Sequence, residues 1–422
     1  MGSQAVSRSV ERALRISILD GILFALMLGV SESYFGACAV ALGHTDTALA
    51  LLATLPLFAG ALAQAFSGPL VLLLGTRRRL VACGAFVQAL SHLGLIAVAT
   101  LSVHSFWLLL ALVLLYYVSG MMIVPAWGAW MGALTERRNR GRYFAIRSTC
   151  VSISMLSAFL WAGYHLRNAA AQHDLSHTYA LLFGVGFVAR LGSSAMLFNQ
   201  PDPFPARADS MRRVLARTRS AVRSDSFRLA LVLGVWMLGA HVSIPFYAPY
   251  MLRTLDLGYE GFALLCAVQL VAKTIAFPFT HRLAARFGLE RMLVGSIAMS
   301  AIVAFMWGSA TGLRGLVLAQ LLSGPAWACY EFASFQLLLN SARPSHRVEF
   351  LAMSASFGGL MQLGGALLGS FLLSNLGLRY REVFLVSAMG RALPLLLLVP
   401  LVLELRAQNA RSLVRAVVRS RD

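Results

Sequence analysis

The chain alternates between long apolar blocks and short polar segments. Twelve blocks stand out, at about 17–42, 47–74, 80–102, 105–134, 144–166, 177–199, 228–253, 259–286, 292–311, 315–341, 350–376 and 383–405. A helix needs about 20 residues to cross a hydrocarbon core. The blocks are apolar all round, whereas strands of a membrane barrel would alternate at period two. Lipid offers no partner for backbone polar groups, so each block is predicted to be a membrane-spanning helix. Composition agrees: 58% of residues are hydrophobic, 13% are charged and the mean hydropathy is +0.72. A soluble domain would carry about a quarter charged residues.

Charge sets the predicted orientation. With the N-terminus inside, the cytoplasmic segments hold twenty-eight arginines and the opposite face holds five. By the positive-inside rule both termini are expected in the cytoplasm of a cell with the chain in its inner membrane. The same asymmetry accounts for a net charge of +19. The arginines are shared among seven loops and tails on one face, so lipid headgroups, not nucleic acid, are the expected anionic partner. The first block is too long for a cleaved signal, carries Asp20 and Glu32, and lacks a small-residue cleavage site. Five cysteines lie in or beside the spans without paired spacing, which predicts neither disulfide, metal site nor cofactor.

Residues 201–227 interrupt the pattern. Pro201, Pro203 and Pro205 end the sixth block, and a run of arginines follows among Ala, Ser, Val and Leu. This predicts a cytoplasmic linker, part of it a basic helix on the membrane surface. It separates a bundle of six helices at 1–200 from a second at 228–422, the latter ending in a short tail. The halves repeat one another. A shift of 213 residues lays Ala50-Leu51-Leu52 on Ala263-Leu264-Leu265, Gly75 on Gly288 and Arg78 on Arg291. Pro125-Ala126-Trp127 recurs as Pro325-Ala326-Trp327. Such duplication marks transporter folds in which two bundles enclose a site near the bilayer midplane.

The stretch Gly68 to Arg78 resembles the signature loop of the major facilitator superfamily, Gly-x-x-x-Asp-(Arg/Lys)-x-Gly-Arg-(Arg/Lys). Gly68, Gly75, Arg77 and Arg78 are kept, and Leu72 stands where the family has an aspartate. In the second half Arg286-Phe287-Gly288 survives, with Ala285 at the acidic position. Gly29 to Phe35, Glu136 to Phe144 and Ser323 to Ala328 are similar to an uncharacterised bacterial branch of that superfamily. The resemblance implies an all-α membrane fold of twelve helices in two six-helix bundles related by a pseudo-two-fold axis. It also implies that helices one, four, seven and ten line a central cavity, flanked by two, five, eight and eleven. The Gly-rich, Gly-Pro antiporter signature of helix five is absent from 144–166.

Charged residues inside the spans are the site candidates, because an ammonium at mid-bilayer costs about 2.5–3.5 kcal/mol on insertion scales. Lys273, the only lysine in the chain, lies at roughly 20 Å depth, Glu331 at roughly 16 Å and Glu32 at roughly 25 Å by helix rise. The Lys273 and Glu331 pair has two readings, a substrate and proton-coupling element or a structural brace within one half. Glu32 has no basic residue at its depth in its own half and is the first candidate for proton carrier or substrate contact. His241, Gln64, Gln269, Tyr34, Trp327 and Tyr330 complete the candidate cavity, each readable also as packing or an interhelical bond. Gly68, Gly75, Arg77, Arg78, Arg137, Arg140, Asp20 and Arg147 form the candidate cytoplasmic gate, with Asp20 expected to pair with Arg147. Arg190 and Arg391, in helices six and twelve, are expected to be structural, bonding carbonyls or a neighbouring acid.

These features predict a monomeric secondary transporter, not an enzyme, for a small charged or zwitterionic solute with protons as the coupling ion. Export of lipophilic cations is the alternative within the class. A membrane enzyme acting on lipids would need clustered His, Asp or Glu at one face, and no His-x-x-x-x-Asp or paired-aspartate motif occurs. A sensor should carry a soluble domain, and the tail after residue 405 is short. No Gly-x-x-x-x-Gly-Lys-(Ser/Thr) loop exists for nucleotide-driven transport.

Overall fold

Apolar sequence and unsatisfied backbone together demand helices, and helices are what the computed structural model contains. It describes residues 2–396 except 45, 102–104, 137–138, 173–174, 203–209, 225 and 311. Arg137 and the tail arginines from Arg406 onward therefore lie outside the described residues. Among the described residues, ten helical stretches are long and apolar enough to cross a membrane. The tenth helix, Leu313–Ser341, is equally long but carries Gln320, Glu331, Gln336 and Asn340, and the twelfth is described over 380–396.

Four helices are interrupted. The first runs Gly2–Val30, turns through a 3-10 segment at Glu32–Tyr34 and resumes as Phe35–Ala41. The second breaks at Gln64–Phe66 between Asp46–Ala63 and Ser67–Leu74. The fourth divides at Ile123 into Phe106–Met122 and Val124–Leu134. The seventh ends its first segment, Phe227–His241, before a 3-10 turn at Ile244–Phe246 and a π turn at Tyr250–Thr254. Pro125 occupies the first turn after the break in helix four, where its missing N–H has no partner to lose. Its counterpart Pro325 stays inside an unbroken helix ten. The repeated Pro-Ala-Trp triplet thus takes two backbone forms. The remaining spans are the third (Arg77–Thr100), fifth (Arg140–Gln172), sixth (Leu175–Asn199), eighth (Gly258–Phe287), ninth (Leu289–Ser309) and eleventh (Arg347–Ser374).

The chain forms two compact units, Met1–Phe227 with Leu338–Leu360, and Arg228–Leu337 with Met361–Asp422. The ends of helices ten and eleven that flank residues 342–346 therefore pack with the N-terminal helices rather than with the rest of the second half. In the first unit helix three lies along helix six, helix one along five and six, and helix two along four. Its core gathers Met27, Phe35, Leu95, Leu109, Val113, Tyr116 and Phe183. In the second unit Tyr250, Leu265, Trp307, Leu316 and Phe384 form the core. Helices seven and twelve cross there at Gly239 and Gly390, where a Cβ on Gly239 would sit 2.4 Å from the Gly390 carbonyl carbon. Large apolar side chains on the outside, such as Leu73, Val188, Met389 and Leu396, are the lipid-facing complement.

The linker does form a helix, Met211–Val222. Only part of its apolar stripe is free for a membrane surface: Met211, Leu215 and Val222 are exposed, whereas Val214 and Ala221 are buried. Val214 rests on Gly68, whose missing side chain leaves room for it; a Cβ there would meet Val214 at 3.3 Å.

Candidate functional site

The breaks place polar side chains at the points where helical bonding is interrupted. Glu32 lies in the 3-10 turn of helix one. Tyr116 of helix four donates its hydroxyl to the Glu32 carboxylate at 2.6 Å, and Tyr117 is a second donor. No cation bonds Glu32 among the described residues. Tyr116 is fully buried and held edge-on by Phe35 and His92, so the donor is fixed in direction. Tyr34, two residues on, donates to the Phe159 carbonyl at 2.7 Å and stacks on the Phe159 ring, bracing helix one against helix five. Gln64 is buried in the 3-10 turn of helix two.

A second polar cluster occupies the same unit. Asp20 accepts from the Ser193 hydroxyl at 2.6 Å and lies 3.6 Å from a guanidinium nitrogen of Arg147. Arg190 donates to Ser193 and to Gln88, each at 2.8 Å, so Ser193 links it to Asp20. The Asp20–Arg147 pairing expected from sequence is present, and Arg190 joins it. Burying a carboxylate this completely is tolerable only with such partners. Arg147 also stacks over Trp127 at 4.3 Å and donates to the Ser17 carbonyl. A hollow of about 210 Å³ beside the break in helix four is lined by Asp20, Arg147, Arg190 and Trp127.

Of the candidate gate residues, Arg77 and Arg140 reach the end of helix four. The last carbonyls of a helix lack intrahelical donors and carry its negative dipole end, which suits guanidinium groups. Arg77 donates to the Ala129 carbonyl at 3.1 Å. Arg140 donates to the Gly132 and Thr135 carbonyls and to the Asn340 side chain at 2.8 Å. Arg347 donates to the Gly132 carbonyl at 3.1 Å. Arg78 reaches the Gln200 carbonyl at 3.5 Å. Gly75 ends helix two with φ of 80°, a left-handed turn that favours glycine. Leu72 contributes no acid, but Asp202 and Glu349 are charged neighbours of Arg77, and Glu349 also pairs with Arg217 at 3.9 Å. Asn340, Arg347, Glu349 and Asp202 are absent from the sequence-based candidates. The local signal for them is weak: polar residues at helix ends next to a loop are ordinary, and only packing brings them to helix four.

In the second unit the Lys273 ammonium donates to the Glu331 carboxylate at 2.6 Å. The pair remains open to its surroundings, with side-chain exposures of 24% and 41%. The Ser323-Gly324 motif explains how it forms. Gln269 donates to Ser323 at 2.9 Å, and Gly324 lets helix ten lie on helix eight so closely that a Cβ would be 2.5 Å from the Lys273 backbone nitrogen. Tyr330 stacks on the buried Trp236 at 3.8 Å and is only 4% exposed, so it serves packing more than an open lining. Trp327 meets the same indole edge-on. His241 is bonded through Nδ1 to the Met237 carbonyl, at the end of the first segment of helix seven. Arg391 donates to the Ser300 and Ala240 carbonyls and to Ser243 and Ser387. It thus satisfies groups freed where helix seven breaks, the condition for irregular backbone at membrane depth.

A family profile described as Major Facilitator Superfamily matches residues 18–263. The chain belongs to the Major Facilitator Superfamily. Solved structures share the fold at low identity. The human organic anion transporter MFSD10 (TETRAN) is 16% identical with a TM-score of 0.69, covering 93% of this chain and 99% of its own. The E. coli fucose:proton symporter FucP is 14% identical with a TM-score of 0.72, covering 91% and 97%. A bacterial homologue of the iron transporter ferroportin, in its outward-facing state, is 15% identical with a TM-score of 0.72, covering 92% and 99%. No protein of curated function matches in sequence. The protein is thus a multi-pass membrane protein with a facilitator fold of twelve helices in two bundles, consistent with secondary transport. The matched family and fold neighbours are transporters, not enzymes. Among the described residues no group of three or more His, Cys, Asp or Glu could hold a metal ion.

Proposed function

We propose that this facilitator moves a small carboxylate-bearing or zwitterionic solute by alternating access, with proton coupling through Glu32 or Glu331. The observation that carries this reading is the Lys273–Glu331 pair, an intramembrane ion pair that stays partly exposed at the only lysine of the chain. The exposed faces of the pair leave its ammonium able to meet a carboxylate, and its carboxylate able to meet a cation or proton. Glu32 supports it from the other half, held by tyrosine donors that suit both an ionised and a neutral carboxyl. The arginines at the end of helix four would act as the gate, and Arg190 and Arg391 as structure. We place the protein as a monomer in the inner membrane, both termini cytoplasmic, with bundles at 1–200 and 228–422 joined by the 201–227 linker.

The test begins with thermal unfolding of purified protein against panels of carboxylates, amino acids and lipophilic cations. Carboxylates or zwitterions should stabilise wild type and leave Lys273→Ala unmoved. Uptake of a stabilising solute into proteoliposomes should respond to an imposed pH gradient in wild type and lose that response in Glu32→Gln. Stabilisation by lipophilic cations alone would favour the exporter reading, and a gradient response equal in both proteins would remove Glu32 from coupling.

A further inference from the structure

At the linker end of the first unit lies a hollow of about 530 Å³ whose walls are basic and hydroxylic. Arg223 lines it from the end of the linker helix, and Arg343 and His346 line it from the turn after helix ten. Ser220, Ser226 and Ser341 face it as well. The buried ring of Phe350 forms its apolar floor. Other arginines of this unit have found partners: Arg217 pairs with Glu349, Arg147 with Asp20, and Arg140 with carbonyls. The side chains of Arg223 and Arg343 have no ion-pair or hydrogen-bond partner among the described residues. The charged neighbours of His346 are Arg217 and Arg343, which add to the positive field. Asp225, between Ser224 and Ser226 in the chain, lies outside the described residues.

Two exposed guanidinium groups facing one concavity repel each other and are left with unspent donors. Guanidinium forks match the oxygen spacing of phosphate, and charge-assisted bonds to it are about twice as strong as neutral ones. Serine hydroxyls can donate to the remaining oxygens. The volume is in the range of ligand pockets, roughly 300–1,000 Å³. We propose that this hollow is a binding site for a phosphate group, free in solution or on the headgroup of an anionic phospholipid. The site is separate from the intramembrane charges and stands whether or not the transport reading holds. A ligand there would tie the linker helix to the start of helix eleven, both parts of the same unit.

The full-length detergent-purified protein provides the test. One arm titrates inorganic phosphate calorimetrically; the other measures phosphatidylglycerol retained by native mass spectrometry after extraction from phosphatidylglycerol–phosphatidylcholine nanodiscs. The variant is Arg223→Gln with Arg343→Gln, both exposed positions that leave the core untouched. Arg379→Gln, an exposed arginine paired with Glu382 that does not line the hollow, controls for bulk charge. A loss of at least about tenfold in the double variant alone supports the site. Loss in the calorimetric arm assigns free phosphate, and loss confined to lipid retention assigns the headgroup. Silence in both arms, or an equal loss in Arg379→Gln, overturns the proposal.

Discussion

Replacing Lys273 and Glu331 singly and together separates a working ion pair from a brace. At 2.6 Å, and with an effective dielectric of about 20, the bare attraction has a ceiling of about 6 kcal/mol, before any desolvation cost is subtracted. Removing one partner of a fully buried pair costs about 3–5 kcal/mol, while exposed pairs contribute about 0–1 kcal/mol. With 24% and 41% of the side chains exposed, this pair falls between the limits. Lys273→Met and Glu331→Gln are each expected to destabilise by about 2 kcal/mol, since the widowed group can still draw in water. The double variant should recover part of this, giving a coupling energy of about 1–2 kcal/mol in a double-mutant cycle. Stability would be followed by denaturant or thermal unfolding in detergent, and transport by uptake of a solute selected on wild type. A working pair predicts that the double variant regains stability and still fails to transport. Full transport by the double variant would refute the functional assignment. Single losses below about 0.3 kcal/mol would refute the energetic reasoning itself.

Two further outcomes follow from the packing. Asp20→Asn leaves Arg190, only 3% exposed, and Arg147 without their carboxylate. Unfolding should become easier by about 3–5 kcal/mol, and a change under about 1 kcal/mol would show that the arginines are satisfied by Gln88, Ser193 and carbonyls alone. Gly239→Ala drives a methyl into the Gly390 backbone and should cost about 1–3 kcal/mol or more in thermal unfolding. Gly184→Ala, with open space around it, should be neutral or slightly stabilising, and equal behaviour of the two would contradict the crossing.

How much of the site was legible depends on how local its causes are. Lys273 and Glu331 could be paired from depth alone because both helices are regular and depth is a matter of counting residues. Asp20 and Arg147 were likewise matched from depth and charge. The 3-10 turn at Glu32 was not legible: Ser31, Glu32 and Ser33 mark a polar patch in the first block, but a polar patch does not by itself break a helix, and no proline marks it. Pro125 and Pro325 show the converse, since identical triplets yield a broken helix and a continuous one. Leu72 seemed to leave the gate without an acid, whereas Glu349, nearly 280 positions away in the chain, lies beside Gly68.

The order of apolar and polar residues by itself determined that the backbone must be helical and how many times it crosses the membrane. Lipid imposes those outcomes on any such chain, because each span must satisfy its own backbone bonds whatever its neighbours do. Which donors meet which acceptors was decided only in three dimensions. Tyr116 on Glu32, Arg391 on the broken seventh helix, and Arg223 with Arg343 around one hollow all depend on rotation and translation between helices. Those degrees of freedom are set by close contacts such as Gly239 on Gly390 and Gly324 on Lys273, which leave no periodic trace in the chain.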